Sequence, residues 1–300
     1  MSDPQVDVEY NVRNTVTPEL FDQVMAEYRA QSERAVAGLH GFEGLYYDPD
    51  SRQKLDVWGT ATDELRPVFL VIHGGYWRAL SRHDTAFMAR TLDAAGIATV
   101  SVDYGLAPGT SLEEIVRQVR AAVAWVHHHG AAHGLDPERI VVGGSSAGGH
   151  LTGSVMTAGW QRDFDLPDHV VRAAMPISGL FDLRPLIDSF ANEWLGLDIR
   201  RAELLSPMLH ASGTGPRAVF AVAERDGAGF LEQSRKFHRM WAAHSPSELL
   251  VIPNRNHYDV FLDLADPSSD LTIALVRVID DLGKRDAVKD RVTGRKRVTG

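Results

Sequence analysis

Short apolar runs rich in β-branched residues recur along this chain of 300 residues. They are LDVW (55–58), PVFLVIH (67–73), ATVSVDY (98–104), RIVVGG (139–144), AAMPIS (173–178), AVFAVA (218–223) and ELLVIP (248–253). Between them the apolar positions change to helical spacing, which predicts helices at about 84–95, 111–129, 147–158 and 228–243, with a last one at 269–282. Ahead of the first run, Thr17-Pro18-Glu19 followed by LFDQVMAEYRAQSERAV reads as a capped helix of about 20 residues that packs over the sheet. Strands alternating with helices of this length predict an α/β fold: a mostly parallel, twisted sheet with helices on both faces. Residues 180–210 break the alternation with helical fragments and no clear strand, which predicts a small helical cap over the carboxyl edge of the sheet, where such folds bind ligands.

Composition bounds what that architecture can do. At 44% hydrophobic and 24% charged the chain can bury one large core. The expectation is a single domain over 1–283, with the cap as an insertion at about 180–210. The last 17 residues hold seven Lys or Arg against two Asp and repeat RVTG at 291–294 and 297–300, which reads as a basic, disordered tail at 284–300. A formal charge of -9 argues against a nucleic-acid partner. No apolar run reaches the length of a bilayer span, and the start MSDPQVDVEY is polar, so no membrane partner and a cytoplasmic location are expected. The absence of cysteine excludes disulfides, thiolate chemistry and Cys-based zinc sites.

The candidate chemistry lies at the ends of the predicted strands. Gly144-Ser145-Ser146-Ala147-Gly148 fits G-x-S-x-G with Ser146 central, between an apolar strand and a helix. Such a turn strains the serine backbone, needs glycines beside it, and exposes the hydroxyl at a helix N-terminus, where the N–H of Ala147 can meet a developing oxyanion. His73-Gly74-Gly75-Tyr76-Trp77 leaves an earlier strand. The N–H groups of Gly74 and Gly75 are candidates for the rest of an oxyanion hole, Tyr76 and Trp77 for an aromatic substrate wall, and His73 for a brace of the loop. A nucleophilic serine needs a base and an acid to orient it, in the chain order Ser, Asp or Glu, His. AVFAVAERDG offers Asp226, with Glu224 in reserve, and ELLVIPNRNHYD offers His257. His127, His128 and His129 read as a solvated helix end rather than a metal site, and no metal or other cofactor is expected. Phe181, Trp194 and Tyr258 are looser candidates for the pocket.

Together HGGYW, GGSSAGGHL preceded by HGLDPERIVV, the acid in AERDGAGFLEQSRKF, and NHYDVF resemble the α/β-hydrolase superfamily, and within it kynurenine formamidases (arylformamidases) and their bacterial esterase relatives. The resemblance runs from EYNVRNTVTPELFDQVMAEYRAQSERA to about residue 282. One departure is Ser145, where many relatives carry His or Asp. The resemblance implies a metal-free serine hydrolase that removes a small acyl group from an aromatic amine, such as N-formylkynurenine, through an acyl-enzyme on Ser146. A carboxylesterase acting on short acyl esters with the same residues is the alternative. A binding protein on the same fold is disfavoured, since all three triad positions are filled. The partner expected is thus a small aromatic amide or ester. The assembly state stays open, a homodimer included.

Overall fold

The structure is a computed structural model that describes residues 2–293 except Ser212, with side chains to Lys284. Its elements, in chain order, are α1 (Pro4–Tyr10), α2 (Pro18–Val36), β1 (Gly41–Tyr46), β2 (Lys54–Trp58), β3 (Arg66–Ile72), α3 (Ala89–Ala94), β4 (Ala98–Val102), α4 (Leu112–His129), β5 (Leu135–Ser145), α5 (Ala147–Met156), β6 (Val171–Ile177), α6 (Asn192–Leu195), α7 (Ile199–Leu204), β7 (Arg217–Arg225), α8 (Ala228–Ala242), β8 (Ser247–Asn256) and α9 (Asp270–Thr293). The strands form one sheet in the order β1-β2-β4-β3-β5-β6-β7-β8. β1, β2 and β4 pair antiparallel, and every pairing from β4 through β3 to β8 is parallel.

The period-2 geometry of β3 shows why the sheet is covered on both faces. Val68, Leu70 and Ile72 belong to a core cluster that includes Ile115, Val119 and Val123 of α4. Phe69 and Val71 belong to a second cluster with Leu92 of α3 and Leu271, Leu275 and Val278 of α9. A strand apolar from Pro67 to Ile72 is what two buried faces demand. α2 begins as its sequence predicts, with Pro18 in the first turn and the Thr17 hydroxyl accepting from the Leu20 N–H at 3.2 Å. Between β6 and β7 lie short helical pieces, α6 and α7 among them, and no strand among the described residues.

Two elements have no counterpart in the hydrophobic pattern. β1, GFEGLY, is an edge strand whose register shifts between Phe42 and Leu45, and the Gly44 N–H there donates to Asp56 Oδ1 at 2.6 Å instead of continuing the ladder. α1 has seven residues, too few to show a period, and long-range contacts hold it: the Asp3 N–H donates to the Asp188 carbonyl at 2.6 Å and the Phe190 N–H to Asp7 Oδ1 at 2.7 Å. These bonds tie the chain start to the segment between β6 and β7. The tail expected at 284–300 lies almost wholly beyond the residues with described side chains, and the backbone of α9 continues through part of it to Thr293. Among the described residues no helix is long and apolar enough to cross a membrane.

Candidate active site

Four connections leave the carboxyl edge of the parallel strands and converge. The register Ile72↔Gly144, Ser145↔Ile177, Ile177↔Ala221 and Arg225↔Asn256 aligns the ends of β3, β5, β6, β7 and β8. His73 and Gly74 follow β3, Ser146 follows β5, Asp226 follows β7 and His257 follows β8, so residues up to 184 positions apart in sequence meet at one edge.

Ser146 sits at φ 60°, ψ -119°, a left-handed region that disfavours a residue with a Cβ. The surroundings fix it there. Its N–H donates to the Ile177 carbonyl at 3.0 Å, and its own carbonyl accepts from the His150 N–H at 3.0 Å as α5 begins. The flanking glycines are required by close approach: a Cβ on Gly144 would lie 2.5 Å from the Ile72 carbonyl oxygen, and one on Gly148 would lie 2.1 Å from the same atom. Gly-x-Ser-x-Gly therefore lets the turn press against β3 while the central hydroxyl points out at the helix N-terminus.

That hydroxyl meets the expected partners. Ser146 Oγ is 3.0 Å from His257 Nε2, and His257 Nδ1 is 2.8 Å from Asp226 Oδ1. Asp226 Oδ1 also accepts from the Gly227 N–H at 2.8 Å, while Oδ2 is buried without a partner. An ionised carboxylate can only accept, so the imidazole carries its proton on Nδ1 and leaves the Nε2 lone pair facing the serine. All three side chains are buried. Glu224 is not in this group: it is exposed and accepts from the Asn254 N–H at 2.8 Å. The loop that presents His257 has a brace that sequence reasoning missed. Asp259 accepts from the Asn256 N–H at 2.7 Å and from its side-chain amide at 2.8 Å, and the Asn256 carbonyl oxygen of that amide accepts from the Tyr258 N–H at 2.9 Å. Asn256-His257-Tyr258-Asp259 thus forms an Asx-type turn around the histidine.

Gly74 and Gly75 line the cavity beside Ser146, and a Cβ on Gly74 would lie 3.4 Å from that of Ser146. Ala147 is wholly buried at the first position of α5 and does not line the cavity, so only its N–H can serve the site. His73 has the bracing position expected of it. Its ring stacks on Tyr104 at 3.9 Å, its Nδ1 donates to the Gly74 carbonyl at 3.0 Å, and the Tyr104 hydroxyl is within 3.0 Å of the His73 and Gly74 carbonyls.

The two aromatic wall candidates separate. Tyr76 lines the cavity, its ring edge-on to Phe190 at 5.3 Å and its hydroxyl donating to the Tyr10 carbonyl. Trp77 does not line it. Its side chain is fully buried in the core, with the indole N–H donating to His150 Nδ1 at 3.2 Å. The backbone explains the correction: Gly75, Tyr76 and Trp77 take φ of 89°, 49° and 59°, so the strand exit coils tightly and the second aromatic turns inward as an anchor. His150, bonded at Nδ1 by the indole, donates from Nε2 to the Leu205 carbonyl at 2.8 Å. Trp77→Phe is expected to cost about 1–3 kcal/mol by leaving a buried acceptor unmet, read as the shift in a urea-unfolding midpoint with the slope unchanged.

Burial moves the His150 imidazole down from 6.5 to about 4, outweighing the opposite pull of its bond to the Leu205 carbonyl. The neutral ring is the folded form, so the unfolded chain binds more protons between these values and stability falls as pH drops from about 6.5 toward 4. Thermal unfolding at pH 7 and pH 4.5 is expected to show a smaller drop in His150→Gln than in the unaltered protein.

The cavity over Ser146 and His257 has a volume of about 410 Å³ and a mainly apolar lining. Trp194 and Tyr258 line it as expected; Phe181 does not, being fully buried in the core. The larger omission is the chain start. Phe21, Met25 and Tyr28 of α2, with Arg13 just before it, form one wall, and the Tyr28 hydroxyl donates to the Tyr258 carbonyl at 2.6 Å. Their only signal in the sequence is aromatic residues on the helix face taken to cover the sheet. Burial pushes the Tyr258 phenol up to about 12, so it stays neutral in the working range.

A family model described as alpha/beta hydrolase fold matches residues 69–261. This chain belongs to that family. The hydrolase is 30% identical to a kynurenine formamidase of Salmo salar over 259 residues, covering 83% of this chain and 85% of the relative. It is 32% identical to a carboxylesterase of Mycobacterium tuberculosis over 231 residues, covering 70% and 67%. Among solved structures it is similar to a candidate thioesterase from a Silicibacter species, at a TM-score of 0.75 and 27% identity, covering 91% of this chain and 98% of that one.

Proposed function

We propose that this hydrolase cleaves a small acyl group, formyl, from an aromatic amine through an acyl-enzyme on Ser146. The observation that carries the mechanism is the relay from Ser146 Oγ to His257 Nε2 at 3.0 Å and from His257 Nδ1 to Asp226 Oδ1 at 2.8 Å, at the floor of an aromatic cavity. Ser146 Oγ attacks the carbonyl carbon as His257 takes its proton. The oxyanion of the tetrahedral adduct is met by N–H groups of Ala147 and of Gly74 or Gly75. Collapse breaks the C–N bond, and His257 returns the proton to the leaving nitrogen, which an amide requires because an unprotonated anilide is a poor leaving group. Water then attacks the formyl ester with the same histidine as base, releasing formate and restoring Ser146. No step calls for a cofactor.

The substrate class rests on two supports. The likeness to kynurenine formamidases extends over 83% of the chain. The walls present Phe21, Tyr28, Tyr76, Phe190, Trp194 and Tyr258, which suit a flat ring. The second reading, a carboxylesterase for short acyl esters, is favoured by the likeness to the mycobacterial carboxylesterase and by apolar space beyond what a formyl group fills. Steady-state kinetics decide between them. We expect kcat/KM for N-formylkynurenine and aryl formamides to exceed that for aryl butyrates, and Tyr76→Ala to weaken aromatic substrates by about 1–3 kcal/mol of transition-state binding. Faster turnover of p-nitrophenyl butyrate or hexanoate with no measurable deformylation would overturn the formamidase reading in favour of the esterase.

A further inference from the structure

The loop that carries Gly74 and Gly75 is held from behind by the exit of β4. Tyr104 lies there, buried, outside the lining of the cavity, with its ring stacked on that of His73. Its hydroxyl stands 3.0 Å from the His73 carbonyl oxygen and 3.0 Å from that of Gly74, so one phenol proton is shared between two successive carbonyls. His73 Nδ1 is a second donor to the Gly74 carbonyl, at 3.0 Å. Burial lowers the His73 pKa and keeps the ring neutral, and its other nitrogen, Nε2, is buried with no hydrogen-bond partner. Burial also raises the Tyr104 phenol, which therefore keeps its proton. Neighbours of Tyr104 pin the rest of the loop: Asp103 Oδ1 accepts from the Arg82 N–H at 2.8 Å, and the Ala107 N–H donates to the Trp77 carbonyl at 2.8 Å.

A trans peptide is planar, with its N–H directed opposite to its C=O. The His73 carbonyl shares a peptide with the Gly74 N–H, and the Gly74 carbonyl shares one with the Gly75 N–H. Drawing both carbonyls toward one phenol therefore turns both N–H groups away from Tyr104, to the face on which Gly74, Gly75 and Ser146 line the cavity. Among the described residues neither N–H donates to a protein acceptor. Two successive unpaired N–H groups beside a nucleophile make a concavity suited to an anion. We propose that Tyr104 is a positioning residue of the oxyanion hole: its hydroxyl sets the two peptide planes so that both N–H groups meet the oxygen of the tetrahedral adduct. It does not touch the substrate. An oxyanion hole works by dipoles held in place before charge develops, and the phenol supplies that preorganisation. The inference rests on the reading that Ser146 forms the adduct, and it holds for formamides and esters alike.

Tyr104→Phe keeps the stacked ring and removes the hydroxyl. With the faster of p-nitrophenyl acetate and an aryl formamide as substrate, kcat is expected to fall by about 10- to 100-fold, short of the roughly 10²- to 10³-fold lost with an oxyanion donor itself. KM should move by less than about 3-fold, as for an interaction made only in the transition state. The second readout is inhibition by trifluoromethyl phenyl ketone, compared with methyl phenyl ketone. Ser146 Oγ adds to the carbonyl carbon of the first, its proton passing to His257 and the carbonyl oxygen becoming an oxyanion, whereas the second stays trigonal. The Ki of the first should rise by about the factor lost in kcat, and that of the second should not change. Tyr47→Phe is the control, because Tyr47 is also buried and donates to the Asp103 carbonyl at 2.6 Å, so that its loss removes a comparable hydroxyl without releasing the loop carbonyls. It should lower the urea-unfolding midpoint and leave kcat within about 2-fold. Full activity of Tyr104→Phe, equal kcat losses in the two variants, a loss confined to KM, or a trifluoromethyl ketone Ki that stays constant while kcat falls would each overturn the proposal. Should Tyr104→Phe fail to fold, His73 tests the same clamp. His73→Asn keeps an amide donor near the Nδ1 position and should retain most of kcat, whereas His73→Leu should lose kcat at constant KM, and equal kcat in the two would overturn the assignment. Failure of the formamidase reading is seen separately, in the comparison of formamides with butyrates.

Discussion

Ser146→Ala is expected to lower kcat/KM by at least about 10³-fold, on formamides and on esters alike, while leaving the fold intact. The hydroxyl is the group that His257 Nε2 faces at 3.0 Å, and no other hydroxyl is paired with that nitrogen among the described residues. Its removal leaves little cavity because Ser146 lies at the cavity surface. Ser145, which also lines the cavity, ends β5 with its backbone in register with Ile177, and Ser145→Ala should keep substantial activity. A further variant separates chemistry from backbone strain. The positive φ of Ser146 stores energy that glycine would not, so Ser146→Gly should be as inactive as Ser146→Ala yet unfold at a higher temperature, by the equivalent of about 1 kcal/mol. Exchange of the Ser145 and Ser146 phenotypes in a kinetic comparison would refute the assignment of the nucleophile.

What the chain shows before folding divides along a physical line. All seven apolar runs correspond to strands of the sheet, β2 to β8; in β3 to β7 the run reflects burial on both faces, whereas β2 pairs antiparallel and the edge strand β8 is only partly buried. The serine turn was legible for a related reason: a backbone that must approach a neighbouring carbonyl within 2.1 Å of where a Cβ would be leaves glycine as the residue that fits, and glycines are visible. Trp77 was misread because its direction depends on successive positive φ values after Gly75, which composition does not encode. The pocket wall from Arg13 to Tyr28 was missed for a different reason. α2 has a recognisable cap and period, but which of its residues face the sheet and which face the cavity depends on tertiary contacts such as the bond from the Tyr28 hydroxyl to the Tyr258 carbonyl, across 230 positions of sequence. β1 and α1 are held by bonds to Asp56, Asp188 and Phe190 rather than by their own pattern.

Asp226→Asn is expected to reduce kcat/KM by about 10³- to 10⁴-fold, the scale on which a triad acid acts when it becomes its amide, whereas Glu224→Gln should have little effect. The surroundings of Asp226 leave the amide no good orientation. With its oxygen at the Oδ1 position, it would still accept from His257 Nδ1 and from the Gly227 N–H, and the imidazole would keep its tautomer. The charge that stabilises the imidazolium would be lost, and the amide N–H₂ would occupy the Oδ2 position, which is buried and has no hydrogen-bond partner. With its nitrogen at the Oδ1 position, two donors would confront the Gly227 N–H, and His257 would be forced to carry its proton on Nε2, facing the serine it should deprotonate. Either orientation removes catalytic power, but only the second also switches the tautomer. The pH dependence of kcat/KM separates them: recovery of activity at alkaline pH points to the switched tautomer, and a uniform loss across the profile points to the missing charge. Glu224, exposed and bonded to the Asn254 N–H, has no route to the imidazole, so a Glu224→Gln loss exceeding that of Asp226→Asn would overturn the acid assignment.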